Sequence, residues 1–298
     1  MRTSTIRLSL AVLAAAWLAT AASVSAQAPD FGKVEIKATK ITNNFYTLEG
    51  QGGTIGASVG PDGVFLVDTQ FAPLTEKLVA AIRQISDGRI RMVVNTHVHG
   101  DHTGGNENFA KLGAIVFSRD ELRARLAQGN PPAPPMALPL VTYRGPVTVH
   151  MNGEDIQLIP VPVAHTDGDT MVRFPVADVL MAGDFYRSVG YPNIDRNNGG
   201  SLKGMLEGLN AIIQLAGPNT KIIPGHGPTV DKSGVAAHRD MIMGIRDRVA
   251  QLIQQGKTAE EITAAKATSA YDTRVAGATP QTADRFVGQL YAELKGTK

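Results

Sequence analysis

The sequence predicts an α/β protein in which two β-sheets pack face to face and helices cover their outer sides. Short apolar strands separated by turn residues begin near residue 45, and a helix then lies between two further strands. A second set of strands, again followed by helices, begins at residue 147. Because a sheet must bury its apolar face against another layer, two β-rich halves that each end in helices favour a sandwich. A chain of 298 residues that is 43% hydrophobic is long enough to bury such a core.

The first half starts as a β-meander and then alternates strands with helices. Its strands are expected at Phe45–Leu48, Thr54–Val59, Val64–Asp68, Ile90–Asn95 and Ala114–Phe117. Its helices are expected at Pro73–Ile85, Asn106–Leu112 and Arg119–Ala127. In the first of these helices, leucines and isoleucines recur every three or four residues, which is the spacing of one helical face.

A proline-rich stretch, residues 131–139, separates the two halves and cannot form a regular helix or a central strand. It is either a plain connector or a lid, since long loops in compact domains often carry function. The second half has expected strands at Val147–Met151, Ile156–Pro160, Thr170–Phe174, Val179–Ala182 and Lys221–Ile223. Its expected helices are Leu202–Leu215, Val235–Gln254, Ala259–Thr268 and Gln281–Leu294.

The N-terminus is typical of a secretory signal. Arg2 and Arg7 precede the largely apolar run Leu8–Ala22, and Val24-Ser25-Ala26 suits cleavage after Ala26. The run has about 15 residues, whereas a spanning helix needs about 20, so no stable membrane anchor is expected. Residues 1–26 are therefore predicted to be a signal peptide, residues 27–298 the functional domain, and the location periplasmic or secreted.

Charge and cysteine content exclude several classes of function. The formal charge of +2 comes from the two arginines of the signal, which leaves the mature chain neutral and without a basic run. A protein that tracks nucleic-acid phosphates needs basic excess, so nucleic acid is not an expected partner. The absence of cysteine excludes disulfides, thiolate zinc sites, iron–sulfur clusters and a thiol nucleophile.

Three histidines and an aspartate fall within six residues, directly after the apolar strand at 90–95. The segment reads Thr96-His97-Val98-His99-Gly100-Asp101-His102-Thr103-Gly104-Gly105. Neutral imidazoles and a carboxylate around a small volume suit a divalent cation such as zinc. The strand fixes one end of the loop, and the glycines allow the tight turns that bring the side chains together.

Three more candidate ligands each follow an expected strand and have glycine nearby. They are His165, Asp184 and His226. Polar groups that collect just past strand ends meet at one edge of a sheet scaffold, where ligand sites form. His150 and His238 lack this context and are expected to be structural or to face solvent.

These residues resemble the signature of the metallo-β-lactamase superfamily: His-x-His-x-Asp-His, a lone His, an Asp and a last His, in that order. The resemblance covers roughly Val34 to Asp231 and implies the four-layer αββα sandwich of that family. It also implies two bound divalent cations, with zinc favoured and iron or manganese also accepted. By that resemblance one cation is held by His97, His99 and His165, the other by Asp101, His102 and His226, and Asp184 bridges them.

Departures within the family narrow the resemblance. Lactamases that use a cysteine ligand are excluded, and those with all-histidine sites generally lack the bridging Asp. Asp184 makes the ligand set similar to glyoxalase II, lactonases and alkylsulfatases. Asp68 resembles the acid that supports a ligand in the family, with a turn-capping carboxylate as the alternative, and Asp169 and Thr166 are further candidates.

The expected chemistry is hydrolysis of an ester, lactone, thioester or amide bond in a small molecule. Two cations about 3.5–4 Å apart would share a hydroxide at neutral pH, and Asp101 would act as ligand and as the residue that orients it. One alternative is β-lactam hydrolysis. Another, from a different class, is a periplasmic metal-binding or redox-accessory protein without hydrolytic turnover.

Overall fold

The computed structural model describes residues 30–296 and has the four layers expected from the sequence. The predicted signal peptide, residues 1–26, lies outside this range. The first sheet has seven strands in chain order: β1 (Lys37–Lys40), β2 (Phe45–Glu49), β3 (Ile55–Gly60), β4 (Gly63–Val67), β5 (Ile90–Val94), β6 (Ile115–Arg119) and β7 (Val141–Tyr143). The second has five, with β12 at one edge and β8 at the other: β8 (Val147–Met151), β9 (Glu154–Pro160), β10 (Thr170–Phe174), β11 (Val179–Gly183) and β12 (Lys221–Pro224).

Eight α-helices are found in the described residues, and most of them cover the outer faces of the sheets. They are α1 (Thr75–Arg83), α2 (Gly100–Thr103), α3 (Asn106–Lys111), α4 (Asp120–Gln128), α5 (Leu202–Leu215), α6 (Lys232–Gln254), α7 (Ala259–Ala264) and α8 (Pro280–Leu294). No helix in residues 30–296 is both long and apolar enough to span a bilayer.

Three separate hydrophobic cores lie between the four layers. In β4, Val64 and Leu66 point to the core shared with α1 and α3, while Phe65 and Val67 point to the core between the sheets. In β11, Leu180 and Ala182 face the core built with α5, α6 and α8. Strands buried on both faces are continuous apolar runs, which is how these segments read in the sequence.

The structure differs from the sequence expectations at weakly patterned segments. Strand β1 is the polar segment Lys-Ala-Thr-Lys and forms by pairing with β2, and β7 has three residues at a sheet edge. Neither carries an apolar periodicity that predicts a strand. The turn α2 lies inside the expected loop 96–105, and α7 ends at Ala264 instead of Thr268.

The strand directions bring polar loops from both sheets to one edge of the sandwich. Strands β4 and β5 are parallel, as are β11 and β12, so each pair ends on the same side. The β9–β10 hairpin turns at this edge as well, and Thr170 N at the start of β10 donates to Thr96 O at 2.8 Å. Residues that follow these strands therefore meet where the two sheets meet.

Candidate metal centre

All seven side chains proposed as metal ligands lie together at this edge. They form two adjoining groups, and the potential ligand atoms within each group lie within 4.8 Å of one another. One group is His97, His99, His165 and Asp184, and the other is Asp101, His102 and His226. The structure brings the seven side chains together, and their role as ligands stays a prediction.

The backbone of the histidine loop is held from below by buried polar groups. The carbonyl of His102 accepts hydrogen bonds from Thr69 N at 2.8 Å, Thr69 Oγ1 at 3.0 Å and Asn95 Nδ2 at 3.2 Å. Asn106 closes this network by donating to Asn95 Oδ1 at 2.8 Å. A loop whose buried polar groups are satisfied in this way has one well-defined conformation.

Two histidines of the first group direct one ring nitrogen inwards and bind the other to a group outside. His165 Nδ1 lies 2.6 Å from Asn193 O, which can only accept, so Nδ1 carries the hydrogen. His97 Nδ1 lies 3.1 Å from Thr96 Oγ1, which gives its own hydrogen to Asp68 Oδ2. Both imidazoles therefore present a bare Nε2 to the centre, the form that binds a metal.

Carboxylates orient two further histidines. Asp68 Oδ2 accepts from His102 Nδ1 at 2.7 Å, and Asp68 Oδ1 accepts from Thr96 N at 2.7 Å. Asp68 adopts a φ of 67°, which Asp tolerates better than most residues. His99 Nε2 donates to Asp195 Oδ2 at 2.7 Å, which leaves His99 Nδ1 bare. The hydrogen bond from His99 holds the pKa of Asp195 well below its usual range, so this carboxylate stays ionised.

The bare nitrogens of the three-histidine group face one another. His99 Nδ1 lies 2.9 Å from His165 Nε2 and 3.2 Å from His97 Nε2. Burial, together with the neighbouring histidines, lowers the pKa of His97 well below its usual value and that of His165 to about 4. Neutral imidazoles whose lone pairs converge repel each other unless a cation lies between them, so this donor set fits a divalent metal.

Asp184 lies between the two groups, and its carboxylate approaches histidines of both. Its Oδ1 is 3.3 Å from His102 Nε2, and its Oδ2 is 3.3 Å from His226 Nε2 and 3.9 Å from His165 Nε2. Burial opposes ionisation of Asp184, but the neighbouring histidines, His102 foremost, together outweigh it, and the pKa is held well below its usual range. His102 Nε2 and Asp184 Oδ1 are buried and make no hydrogen bond of acceptable geometry, as expected of atoms that coordinate a metal.

Asp101 and His226 complete the second group at its more open side. Asp101 Oδ2 lies 3.2 Å from His226 Nε2, and both side chains are 20% exposed, against 7% for Asp184. Burial alone would lower the pKa of His226, but Asp101 and Asp184 raise it to about 9. The two carboxylates thus create a negative potential that a cation would neutralise.

Two glycines allow the ligands to approach the backbone closely, a feature that sequence reasoning did not assign. A Cβ on Gly53 would lie 2.2 Å from the His102 ring, and one on Gly225 would lie 1.9 Å from Asp184 Oδ1. Gln70 Nε2 donates to Gly53 O and so holds the first glycine against the ring. Gly225 and Gly227 flank His226 in the sequence, but the sequence alone does not show that Gly225 makes room for Asp184.

The turn at residues 193–198 is the other part of the site that sequence reasoning missed. The carbonyl of Asn193 orients His165 and the carboxylate of Asp195 orients His99, and the sequence indicated neither role. Near this turn, Tyr191 is fully buried and donates to Asp272, and Lys203 is exposed on α5. Asp169, a candidate support, accepts from His165 N at 2.6 Å.

His238 on α6 packs edge-on against Tyr186, with ring centroids 5.1 Å apart. Its Nε2 is shielded from solvent and has no hydrogen-bond partner among the described residues. Burial, with a smaller contribution from the charge of Arg187, lowers the pKa of His238 to about 4. The expectation of a structural histidine fits this position, whereas His150 is exposed and pairs with Asp155.

Comparison with known proteins places the chain among hydrolases. The model of the metallo-beta-lactamase superfamily matches residues 54–235. A hydroxyacylglutathione hydrolase from Nitrosococcus oceani is 29% identical over 178 residues, which are 56% of this chain and 60% of that enzyme. A linear primary-alkylsulfatase from a Pseudomonas species is 21% identical over 251 residues, 68% of this chain and 47% of that enzyme. The chain thus spans about half to three fifths of the length of these relatives.

Solved structures show the same fold. The sec-alkyl sulfatase PisA1, in a double-mutant form, has a TM-score of 0.67 and 17% identity, over 86% of this chain and 50% of that one. The DIM-1 metallo-beta-lactamase has a TM-score of 0.60 and 20% identity, over 70% of this chain and 97% of that one. These similarities confirm the four-layer αββα sandwich.

Replacing Gly225 with alanine is expected to displace the Asp184 carboxylate and weaken cation binding by about 10- to 100-fold, the usual effect of disturbing the support of a ligand. Gly145→Ala is the matched control, because a Cβ there meets nothing within 4 Å. Competition with a chromophoric chelator measures both variants. Unchanged affinity in Gly225→Ala would contradict this account of the glycine.

Replacing His238 with phenylalanine is expected to remove part of the pH dependence of stability. Since the folded-state pKa of His238 is about 4 and its unfolded value about 6.5, the unfolded chain binds the proton more tightly. The wild type should therefore lose up to about 3 kcal/mol relative to His238→Phe as the pH falls from about 7 to about 4. Denaturant unfolding of both proteins across this range measures the difference, and parallel curves would disprove it.

Proposed function

Because the chain belongs to the metallo-β-lactamase superfamily of metal-dependent hydrolases, we propose that it is an exported enzyme that hydrolyses a small molecule. For this reaction it would use two bound divalent cations, with zinc as the preferred metal. The observation that carries the proposal is the position of Asp184, whose carboxylate lies against both groups: it is 3.3 Å from His102 and His226 of the second group and 3.9 Å from His165 of the first. A single-metal protein would not need a buried carboxylate between two such groups.

The donor atoms fit two cations that share one carboxylate. Three bare imidazole nitrogens form one group, and an imidazole pair with a carboxylate forms the other. The residues that would hold the first cation are His97, His99 and His165, those that would hold the second are Asp101, His102 and His226, and Asp184 would contact both. Such a pair of cations supplies a water-derived nucleophile at neutral pH and positive charge against the anion that develops during hydrolysis.

Asp101 is the residue that we assign to proton handling. Burial raises the pKa of Asp101, but the hydrogen bond from His226 and the charges of His102 and His226 together outweigh it and hold the pKa below its usual value, so the side chain is present as a carboxylate, the form that can accept a proton. It is also more exposed than Asp184, which places it at the side from which substrate and water enter. A carboxylate in this position orients the attacking water and takes up its hydrogen.

The bond that is cleaved is an ester, lactone, thioester or amide in this proposal. Two relatives are named as a hydroxyacylglutathione hydrolase and a linear primary-alkylsulfatase, and the position of Asp184 between the two groups favours hydrolysis of ester-like bonds over β-lactams. The chain contains no cysteine that could act as a nucleophile, which agrees with a water nucleophile. Lactam cleavage is the second candidate, since the fold is shared with DIM-1 metallo-beta-lactamase.

Asp101→Asn is expected to lower kcat for the best substrate at least about 100-fold, because the amide cannot accept the proton. The assay compares lactones, thioesters, aryl esters, alkyl sulfates and nitrocefin, before and after removal of metal with a chelator and its restoration with zinc, iron or manganese. Asp155→Asn, a surface carboxylate that pairs with a histidine, is the control.

Each result of that assay is decisive. Loss of activity with the chelator and in Asp101→Asn supports the proposal. Preferred turnover of nitrocefin would replace it by lactam hydrolysis, and two tightly bound cations without hydrolysis of any substrate would favour the metal-binding alternative. Undiminished activity of Asp101→Asn would overturn the assigned role of this residue.

Export is proposed from the residues before the described range, where basic residues and an apolar run end in Val24-Ser25-Ala26. A chain expressed in a bacterium with an intact secretion system is expected to be shortened to begin at Gln27. Mass spectrometry of the periplasmic protein measures the new N-terminus. Full-length protein in the cytoplasmic fraction would contradict export.

A further inference from the structure

We propose that Asp195 is a positioning residue for His99, and that helix α8 holds it in place through Gln289. The inference rests on the proposed function in one respect, since it assumes that the three-histidine group binds a cation. It goes beyond that function because it assigns a role in cation affinity to residues that contact no cation.

His99 needs an outside partner more than the other two histidines of its group. The side chains of His97 and His165 are about 1% exposed and are fixed by the packing around them, whereas that of His99 is 27% exposed. Its backbone only flanks the short turn α2, with a φ of −65° and a ψ of 151°. The hydrogen bond of 2.7 Å from His99 Nε2 to Asp195 is therefore the contact that fixes both the tautomer and the ring orientation.

Asp195 is itself held rigidly by its own turn. Asn198 donates to it twice, from Nδ2 to Oδ2 at 2.7 Å and from the backbone N to Oδ1 at 3.2 Å. Asp195 N donates to the carbonyl of His165 at 2.9 Å. The turn that orients His99 is thus bonded directly to a second histidine of the same group.

Helix α8 fastens this turn from outside. Gln289 Oε1 accepts from Ile194 N at 3.0 Å, and Gln289 Nε2 donates to Asn193 Oδ1 at 2.8 Å. The carbonyl of Asn193 in turn accepts from His165 Nδ1. Gln289 therefore holds both Asn193, whose carbonyl is the hydrogen-bond partner of His165, and Ile194. Asp195 is the next residue in the chain.

Arg125 of α4 holds the other end of the turn. It donates from Nη1 to Asn197 O and to Asn198 Oδ1, both at 3.2 Å, and its guanidinium makes two bonds of 2.6 Å to the carboxylate of Asp167. The turn is thus fixed from two helices on different sides. Helix α8 lies outside residues 54–235, the part that the superfamily model matches, so this support comes from the chain's own C-terminal region.

The chain contains a natural control for the Asp195 contact. His150 Nδ1 lies 2.7 Å from Asp155 Oδ1, the same separation as in the His99–Asp195 pair, but both side chains are more than two thirds exposed. Asp155→Asn therefore makes the same chemical change in a histidine–aspartate pair that is remote from the ligands.

The test measures cation affinity directly. Zinc is titrated into the metal-free mature protein against a chromophoric chelator, which yields two dissociation constants, and His99→Ala and His226→Ala identify which constant belongs to which group. Asp195→Asn is expected to raise the constant assigned to the His99 group about 10- to 100-fold and to leave the other within about threefold. Gln289→Met, which keeps the length of the side chain and loses both hydrogen bonds, is expected to raise the same constant by a smaller factor.

The outcomes separate this inference from the proposed function. A wild type that binds fewer than two zinc ions overturns the proposed function. Two ions in the wild type and unchanged constants in Asp195→Asn overturn the inference alone. An equal rise of both constants with a lower melting temperature also overturns it, since that pattern indicates a general structural role. Unchanged constants in Gln289→Met remove α8 from the account.

Discussion

Three imidazole nitrogens face one another at about 3 Å, and the hydrogen of each ring is already bonded to a group outside the cluster. Lone pairs held this close in a buried space are unfavourable unless a cation lies between them, and the carboxylates of Asp101 and Asp184 add negative charge beside them. Most other features of the site keep this arrangement in place. Asp195 fixes the ring of His99, and Asp68 fixes that of the adjoining His102. Gly53 and Gly225 make room beside the backbone for the side chains of His102 and Asp184. The converging lone pairs and the carboxylates thus create a negative potential that a pair of cations would neutralise.

The layers of the protein explain how a chain can sustain such a cluster. The three apolar cores fix both sheets, so the loops at their common edge have little freedom to relax apart. The hydrogen bond from Thr170 to Thr96 joins the sheets where the ligands of each converge. Burial also excludes water, which would otherwise solvate the imidazoles and weaken their preference for a metal. The packed layers therefore provide the stability that holds the loops with the candidate ligands in place at their edge.

The fold and the clustering of the seven candidate ligands could be predicted from the sequence because both follow from local patterns. Runs such as Val179–Ala182 are apolar on both faces, and each candidate ligand comes within a few residues of the end of such a run. Strands β1 and β7 could not be predicted, since their pairing with a neighbour, and not their own composition, makes them strands. Asp195 was missed for a related reason. Nothing within its own segment points to His99, which lies 96 positions earlier in the chain, and only the folded topology brings the two together.

The site has two parts, and the orientation of the histidines in each part depends on a different region of the chain. His102 is oriented by Asp68 at the end of a neighbouring parallel strand, so its geometry follows from the sheet itself. His99 and His165 are oriented by a turn that α4 and α8 hold from two sides. A displacement of α4 or α8 would therefore act on the three-histidine group, whereas the contact between Asp68 and His102 involves neither helix. The C-terminal helices thus do more than cover a sheet, because the orientation of two ligands depends on where they pack.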